Sequence, residues 1–250
     1  MVDLASVTYD GVASADLAAR LATPGLRYLA EVPSVLDELH RMAATGSPAG
    51  TAVLADRQTR GRGRLGRTWH SPAGAGIWLA FLIRPGAPET GLLALRVGLA
   101  VVGTLESLGA VPRLKWPNDV LLDDRKVCGV LCEARWERGS PRWVAAGIGI
   151  NVHGPLPAGL EGTATTLTEV VRASRLEVLE RLLPRLQGLA DGAVLSPREH
   201  DALARCDWLR GRRLRKPAAG VAAGIDPQGA LLVEAPDRTA RVTGGTIVLA

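Results

Sequence analysis

Apolar and polar positions along this chain follow two periods in turn, one helical and one of strand length, and their succession points to a mixed α/β protein. Residues 1–26 are Ala-rich and weakly patterned. The first clear helix spans 34–45, with Ser34 and Asp37 spaced as a capping box and Gly46 as the stop. Residues 51–56 read as a strand, 58–69 as a Gly/Arg loop, 71–76 as a turn and 77–83 as a second strand. Residues 90–108 form a buried helix, with Glu89 and Thr90 as dipole and cap partners. Residues 111–115 lead into Trp116-Pro117-Asn118-Asp119, and 120–122 with 126–134 read as a hairpin. The run 143–151 is apolar on both faces, which suits a central strand. Two helices follow at 174–189 and 196–209. Pro184 should kink or break the first, and Ser196, Pro197 and Glu199 mark the start of the second.

The pattern changes after Leu209. A basic RGRRLRK run precedes short β-like stretches at 220–225, 230–234, 239–243 and 246–249. They suit a small β-barrel docked on a larger domain.

Composition narrows the picture. The chain has 250 residues, 47% hydrophobic and 22% charged, which excludes disordered, collagen-like and disulfide-miniprotein classes. The net charge of +5 permits nucleic-acid, phosphate or acidic partners and selects none. Cys128, Cys132 and Cys206 are too sparse for a disulfide framework and suit a reducing compartment. The first residues lack the basic segment and apolar run of a signal peptide. The most apolar stretch, 91–108, contains Arg96 and Glu106, which argues against a membrane span. A soluble cytoplasmic protein is expected.

Candidate chemistry lies in two segments. Gly61, Gly63 and Gly66 satisfy G-x-G-x-x-G, yet no helix opens after them, so a dinucleotide fold is rejected. Arg57, Arg60, Arg62, Arg64 and Arg67 surround these glycines. Arginine forks match carboxylate and phosphate oxygens, and glycine lets backbone approach them. The loop can therefore close over a polyanion, the plainer reading being a solvated basic loop. The second segment holds Lys115 and Lys126, two of only three lysines beside 27 arginines. Keeping lysine here suggests a site that needs an ammonium. Asn118 can read a base edge, and Asp119 can hold a metal or orient an amine, although an Asn-Asp turn is the simpler account. Gly129, Gly147 and Gly149 lie inside strands, where glycine marks a close approach, and Asn151 ends its strand. No Walker A, G-x-S-x-G or H-E-x-x-H motif is present, the four histidines are scattered, and Cys128 and Cys132 read better as strand thiols than as zinc ligands.

Taken together, QTRGRGRLGRTW (58–69), KWPNDVLLDDRKVCGVLCE (115–133), GIGINV (147–152) and GIDPQGALLVE (224–234) resemble the biotin protein ligases, in that family's order and spacing. The resemblance spans about residues 31–249. It implies an α/β (α+β), class II synthetase-like catalytic domain with a mixed sheet, shared with lipoate ligases, over 27–209. A 1–26 extension would precede it and an SH3-like barrel would occupy 210–250. It implies activation of biotin by ATP and magnesium to biotinyl-5′-AMP, then transfer to a lysine of a biotin carboxyl carrier protein. Regulatory members add an N-terminal DNA-binding domain, for which this chain has no room, so no DNA partner is expected. A homodimer is compatible with the resemblance.

By motif position, Gly61 to Arg67 would order over biotin and adenylate. Within that loop Gly63 lies between Arg62 and Arg64, which would contact ligand carbonyl and phosphate groups, with Arg67 also at the nucleotide. Trp69 would pack on the adenine side. Lys126 would bind the carboxylate and then the bridging phosphate oxygens. Asn118 and Asp119 would serve nucleotide and metal, Asp119 aiding the acceptor lysine. Gln58, Gly129, Leu131, Gly147 and Asn151 would line the pocket. One departure stands out. The family's Ser-Thr-Asn, which contacts the ureido ring, is here Ser34-Val35-Leu36 after Pro33. Ser34 can cap a helix, contact ligand, or both. The departure leaves lipoate or octanoate ligation as the rival in chemistry, and a nucleic-acid-binding module as the rival of another class.

Overall fold

The computed structural model describes residues 8–86 and 88–250. The chain opens with β1 (Thr8–Tyr9), β2 (Val12–Ala13) and a short helix, α1 (Ser14–Arg20). Then come β3 (Leu26–Val32), α2 (Val35–Ala44), β4 (Ala52–Gln58) and β5 (Gly76–Ile83). The Gly/Arg loop between β4 and β5 contains one 3-10 turn, Arg64–Gly66. Next are α3 (Leu93–Ser107), β6 (Arg113–Lys115), β7 (Asp119–Leu122), β8 (Arg125–Glu137) and β9 (Ser140–Asn151). The chain continues through α4 (Arg175–Gln187) and α5 (Pro197–Cys206). It closes with β10 (Arg213–Lys216), β11 (Gly220–Ile225), β12 (Leu231–Ala235), β13 (Arg238–Val242) and β14 (Val248–Leu249).

Several elements differ from expectation. Within the expected 1–26 extension, residues 8–21 pack into the main domain, with Tyr9, Leu17 and Leu21 buried in the main core. Arg175 of α4 pairs with Asp10 and with Asp56 of β4, and its guanidinium stacks 4.2 Å from the Tyr9 ring centre. The boundary expected at 26/27 falls inside β3, an unforeseen edge strand that pairs parallel with β4. Only partial burial of β3 explains its weak apolar signature. β10 was masked by its charges, since only Leu214 of its four residues is buried. α3 starts at Leu93 after a Leu92 N-cap without a side-chain cap, leaving Glu89 and Thr90 outside. Pro184 does not end α4, which runs to Gln187. A proline this close to a helix end forfeits a single ladder bond near the terminus. The capping boxes at Ser174/Glu177 and Ser196/Glu199 are both formed.

The main sheet has seven strands in the order β3-β4-β5-β9-β8-β7-β6, with β9 at its centre. β3 and β4 are parallel, and every other pair is antiparallel. Alternation divides the apolar side chains between two faces. Ala52 and Leu54 of β4, Ile77, Leu79 and Phe81 of β5, and Ile148 and Ile150 of β9 face the larger core with α3 and α4. Val53, Ala55, Ala80, Leu82 and Ala145 face the opposite way and pack under Val35, Leu36, Leu39 and Ala43 of α2. α2 lies over β4, β5 and β9, and among the described residues no helix packs on the β8 side of this second face.

The C-terminal strands form an antiparallel sheet in the order β13-β12-β11-β10-β14. Among the described residues β13 and β14 do not pair, so the hydrogen-bonded order is that of an open sheet rather than a closed barrel. Buried Trp116 donates its indole N–H to the Gly229 carbonyl at 2.9 Å and fastens this sheet to the segment before β7. None of the described helices is long and apolar enough to cross a membrane.

Candidate active site

The uncovered part of the second face is the floor of a cavity of about 560 Å³. Gly129 of β8 lies opposite Gly149 of β9, and Leu131 opposite Gly147. Strand alternation then puts Glu133 and Asn151 on the same face as these four residues. Lys126 arrives there by a different route. The β7–β8 register shifts between Val120 and Leu121, so Lys126 opposes Leu121 while Gly129 opposes Asp119. That bulge turns Lys126 onto the face of Asp119 and Gly129, although three positions separate it from the glycine. The intervening Val127 and Cys128 both enter the core. Burial pushes the Cys128 and Cys132 thiols up, the latter to about 12, so both stay protonated.

The Gly/Arg loop folds back over this floor. The Trp69 N–H donates to the Gly61 carbonyl at 3.0 Å, and the Gly63 N–H to the Arg67 carbonyl at 2.7 Å. The Trp69 indole lies on the glycine track. A Cβ at Gly149 would stand 2.5 Å from its ring, closer than any side chain tolerates. The glycines therefore admit a side chain of the protein itself: Trp69 at Gly129 and Gly149, and Leu36 at Gly147. The Trp69 indole N–H is buried without a partner, so it has a donor to offer a ligand.

Several cations line the same cavity. The Lys126 ammonium lies 5.2 Å from the Trp69 ring centre and 2.6 Å from Asp119 Oδ1. Arg64 Nη1 donates to Asn118 Oδ1 at 2.9 Å, while Asn118 Nδ2 donates to the Val130 carbonyl at 2.7 Å. The amide is thus oriented by the sheet before any ligand arrives. Lys115 sits 4.9 Å from the Trp208 ring centre, and burial lowers its pKa, only partly offset by Asp119. Arg62 binds Glu133 through two hydrogen bonds and Asp37 through a third contact, instead of extending freely into the cavity. Hydrogen bonds from His40 and Arg62 hold the Glu133 carboxyl down at about 2.

At the α2 end the expected capping box is absent. Ser34 is the N-cap, but its hydroxyl makes no cap bond. Gln58 supplies the acceptor instead, its Oε1 taking the Val35 N–H at 3.0 Å. Gln58 Nε2 donates to Ser71 Oγ at 2.8 Å, which fixes the amide. Ser34 Oγ is left buried and unpartnered on the cavity wall. Beside it, Val35 and Leu36 are buried and apolar.

The cavity wall brings together Ser34, Gln58, Arg62, Gly63, Arg64, Arg67, Trp69, Asn118, Asp119, Lys126, Gly129, Leu131, Gly147 and Asn151. Gly61 does not line it. Its backbone runs under the Trp69 carbonyl, which a Cβ would meet at 2.4 Å. Sequence reasoning missed the carboxylates on Arg62. It also missed Trp208 and residues 245–247 near the C-terminus, which complete the wall. Glu133 was within reach, since it ends the GVLCE stretch at even spacing from Gly129 and Leu131. Asp119 is one carboxylate, and among the described residues no three His, Cys, Asp or Glu side chains cluster as a metal site.

Residues 33–151 match the model of the biotin/lipoate A/B protein ligase family, and residues 210–250 that of the biotin protein ligase C-terminal domain. The chain is similar to the biotin–(acetyl-CoA-carboxylase) ligase of Mycobacterium tuberculosis, 32% identical over 244 residues, covering 89% of this chain and 88% of that protein. This chain belongs to the biotin protein ligase family. It is also 35% identical to the bifunctional ligase/repressor BirA of Bacillus subtilis over 84% of this chain and 69% of that protein. Among solved structures, a biotin protein ligase from Aquifex aeolicus in complex with biotin and ATP aligns with a TM-score of 0.76 at 31% identity. That alignment covers 90% of this chain and 98% of the other. The mixed sheet with a C-terminal antiparallel sheet is the fold expected of the family.

Proposed function

We propose that this chain joins biotin to ATP as biotinyl-5′-AMP and then passes the biotinyl group to a lysine of a biotin carboxyl carrier protein. The observation that carries this reading is the convergence of Lys126, Arg64 and Asn118 with the Trp69 indole around one cavity. A carboxylate and a triphosphate repel each other, so their meeting needs fixed cations in a site with little water. The biotin carboxylate oxygen attacks the α-phosphorus and pyrophosphate leaves. The carrier amine then attacks the acyl carbon and AMP leaves, so no covalent enzyme intermediate is needed.

Lys126 would hold the carboxylate and then the phosphate oxygens, with Asp119 steering its ammonium. Arg64, Arg67, Asn118 and Asn151 would hold the nucleotide, and Trp69 would face the adenine. Ser34, Gln58, Gly129, Leu131 and Gly147 would surround the acyl group. Gly61 and Gly63 would shape the cover, and Arg62 would contact ligand carbonyl or phosphate oxygens. Magnesium would enter on the triphosphate, with Asp119 as the nearby carboxylate, and would neutralise phosphate charge.

Val35 and Leu36 favour a second reading, ligation of lipoate or octanoate, because neither side chain can hydrogen-bond a ureido ring. Mass spectrometry of a carrier domain incubated with ATP and biotin, and separately with ATP and lipoate, tests both. Biotin label is the expected result, and label from lipoate alone overturns it.

A further inference from the structure

The two carboxylates on Arg62 are not equivalent. Glu133 takes one edge of the guanidinium, with Nε to Oε1 at 2.9 Å and Nη2 to Oε2 at 3.1 Å. Such paired bonds fix the plane of the guanidinium as well as its position. Glu133 is itself held from behind by His40 Nε2 at 2.9 Å, and His40 Nδ1 accepts the Trp143 indole N–H at 2.9 Å. An indole N–H can only donate, so Nδ1 is the acceptor and the ring proton sits on Nε2, aimed at Glu133. Trp143 is buried. The anchor therefore runs from the core to Arg62 without a loose link.

Asp37 is the reverse case. It stands in the first turn of α2, and its side chain is 59% exposed against 20% for Glu133. It meets Arg62 through a single contact, Nη1 to Oδ1 at 2.8 Å. Exposed single-point pairs contribute little and exchange readily with water. Arg62 lines the cavity while Asp37 stands outside it, so a ligand oxygen entering from the cavity competes with Asp37 for the guanidinium while the Glu133 edge stays engaged.

We propose that Asp37 is a stand-in anion, occupying in the empty site the Arg62 donor that a substrate oxyanion takes on binding, while Glu133 stays and aims the guanidinium. The exchange keeps two anions on Arg62 throughout, so the incoming group meets a cation already oriented. Glu133 is then a positioning residue and Asp37 a competitor. The inference rests on the ligase reading for the identity of the oxyanion, either the acyl carboxylate or a phosphate.

Removing the two acids should have opposite effects, which a purely structural role for both would not produce. Calorimetry with biotin alone and with pyrophosphate alone is measured on the wild type, Asp37→Asn, Glu133→Gln, Arg62→Gln and the Asp37→Asn/Arg62→Gln pair. Asp37→Asn should tighten one of the two ligands by about two- to fivefold. The responding ligand shows whether carboxylate or phosphate replaces Asp37. Glu133→Gln should weaken the same ligand by about tenfold or more. In the Arg62→Gln background, Asp37→Asn should change nothing. Weaker or unchanged binding in Asp37→Asn, or a gain that survives Arg62→Gln, overturns the proposal, as does a wild-type chain that binds neither ligand. Should Glu133→Gln not fold, the Asp37 comparison still decides. A wild type that binds pyrophosphate but forms no adenylate from biotin and ATP would sink the ligase reading, leaving the Asp37 test to be read on pyrophosphate.

Discussion

Lys126→Met separates stability from chemistry at this site. The substitution deletes the ammonium and keeps most of the aliphatic stem near Trp69. In the folded chain the ammonium pairs with Asp119 Oδ1 at 2.6 Å, but the two side chains remain 32% and 25% exposed. A pair that wet is worth about 1 kcal/mol or less. The contact with the Trp69 ring, 5.2 Å to its centre, adds about 0.5–1 kcal/mol. The freed Asp119 carboxylate keeps its access to water, so no buried charge is stranded. The expected loss of stability is about 1–2 kcal/mol, with roughly 2–4 °C in Tm for each kcal/mol. Chemistry should suffer much more. Removing one preorganised charge-stabilising group costs about 100- to 1000-fold in rate, roughly 3–4 kcal/mol. Biotin-dependent release of pyrophosphate from ATP measures the second effect, and thermal melting by circular dichroism the first. Release within threefold of wild type would refute the assignment. So would a drop in Tm large enough to account for the lost activity by unfolding.

Three further outcomes follow from other parts of the molecule. Arg175→Met should cost about 3–5 kcal/mol in denaturant unfolding, because Asp10 and Asp56 lose a buried shared partner; a loss below about 1 kcal/mol would contradict that account. The Glu133 carboxyl lies at about 2 in the folded chain against an ordinary 4.5, so its contribution is complete above about pH 4.5 and drains away as pH falls toward 2. That contribution is roughly 3 kcal/mol, and Glu133→Gln should flatten this acid limb in stability measured against pH; an unchanged limb would show that the carboxylate is not so held. Gly149→Ala places a methyl group 2.5 Å from the Trp69 ring, so the indole must leave the glycine track. The KM for ATP should rise about tenfold with little change in Tm, accompanied by a shift in tryptophan emission, and an unmoved emission spectrum with an unmoved KM would refute it.

Much of this protein was legible from the order of its residues, because the relevant physics is local. Periodicity located α2, α3, α4, α5 and the central strand β9. The serine cap of α5 needed only its own neighbours in sequence. The loop from Gly61 to Arg67, the rare Lys126 and the strand glycines pointed, through residue chemistry alone, to the segments that converge on the cavity. Other features depend on groups that are far apart along the chain. Lys126 reaches the site face only because the β7–β8 ladder carries a bulge, and a register shift is a property of two strands together. Ser34 looked like a cap, yet Gln58 takes that role from 23 positions away and leaves the hydroxyl to the cavity. The glycine track looked like room for a ligand, but Trp69 rests on it. The partners of Arg62 lie on α2 and β8 and are selected by how that helix and strand pack. Composition and spacing thus set which chemistry the chain can perform. The pairing of strands and the crossing of the loop over them decided which donors are occupied, which are free, and where a ligand meets them.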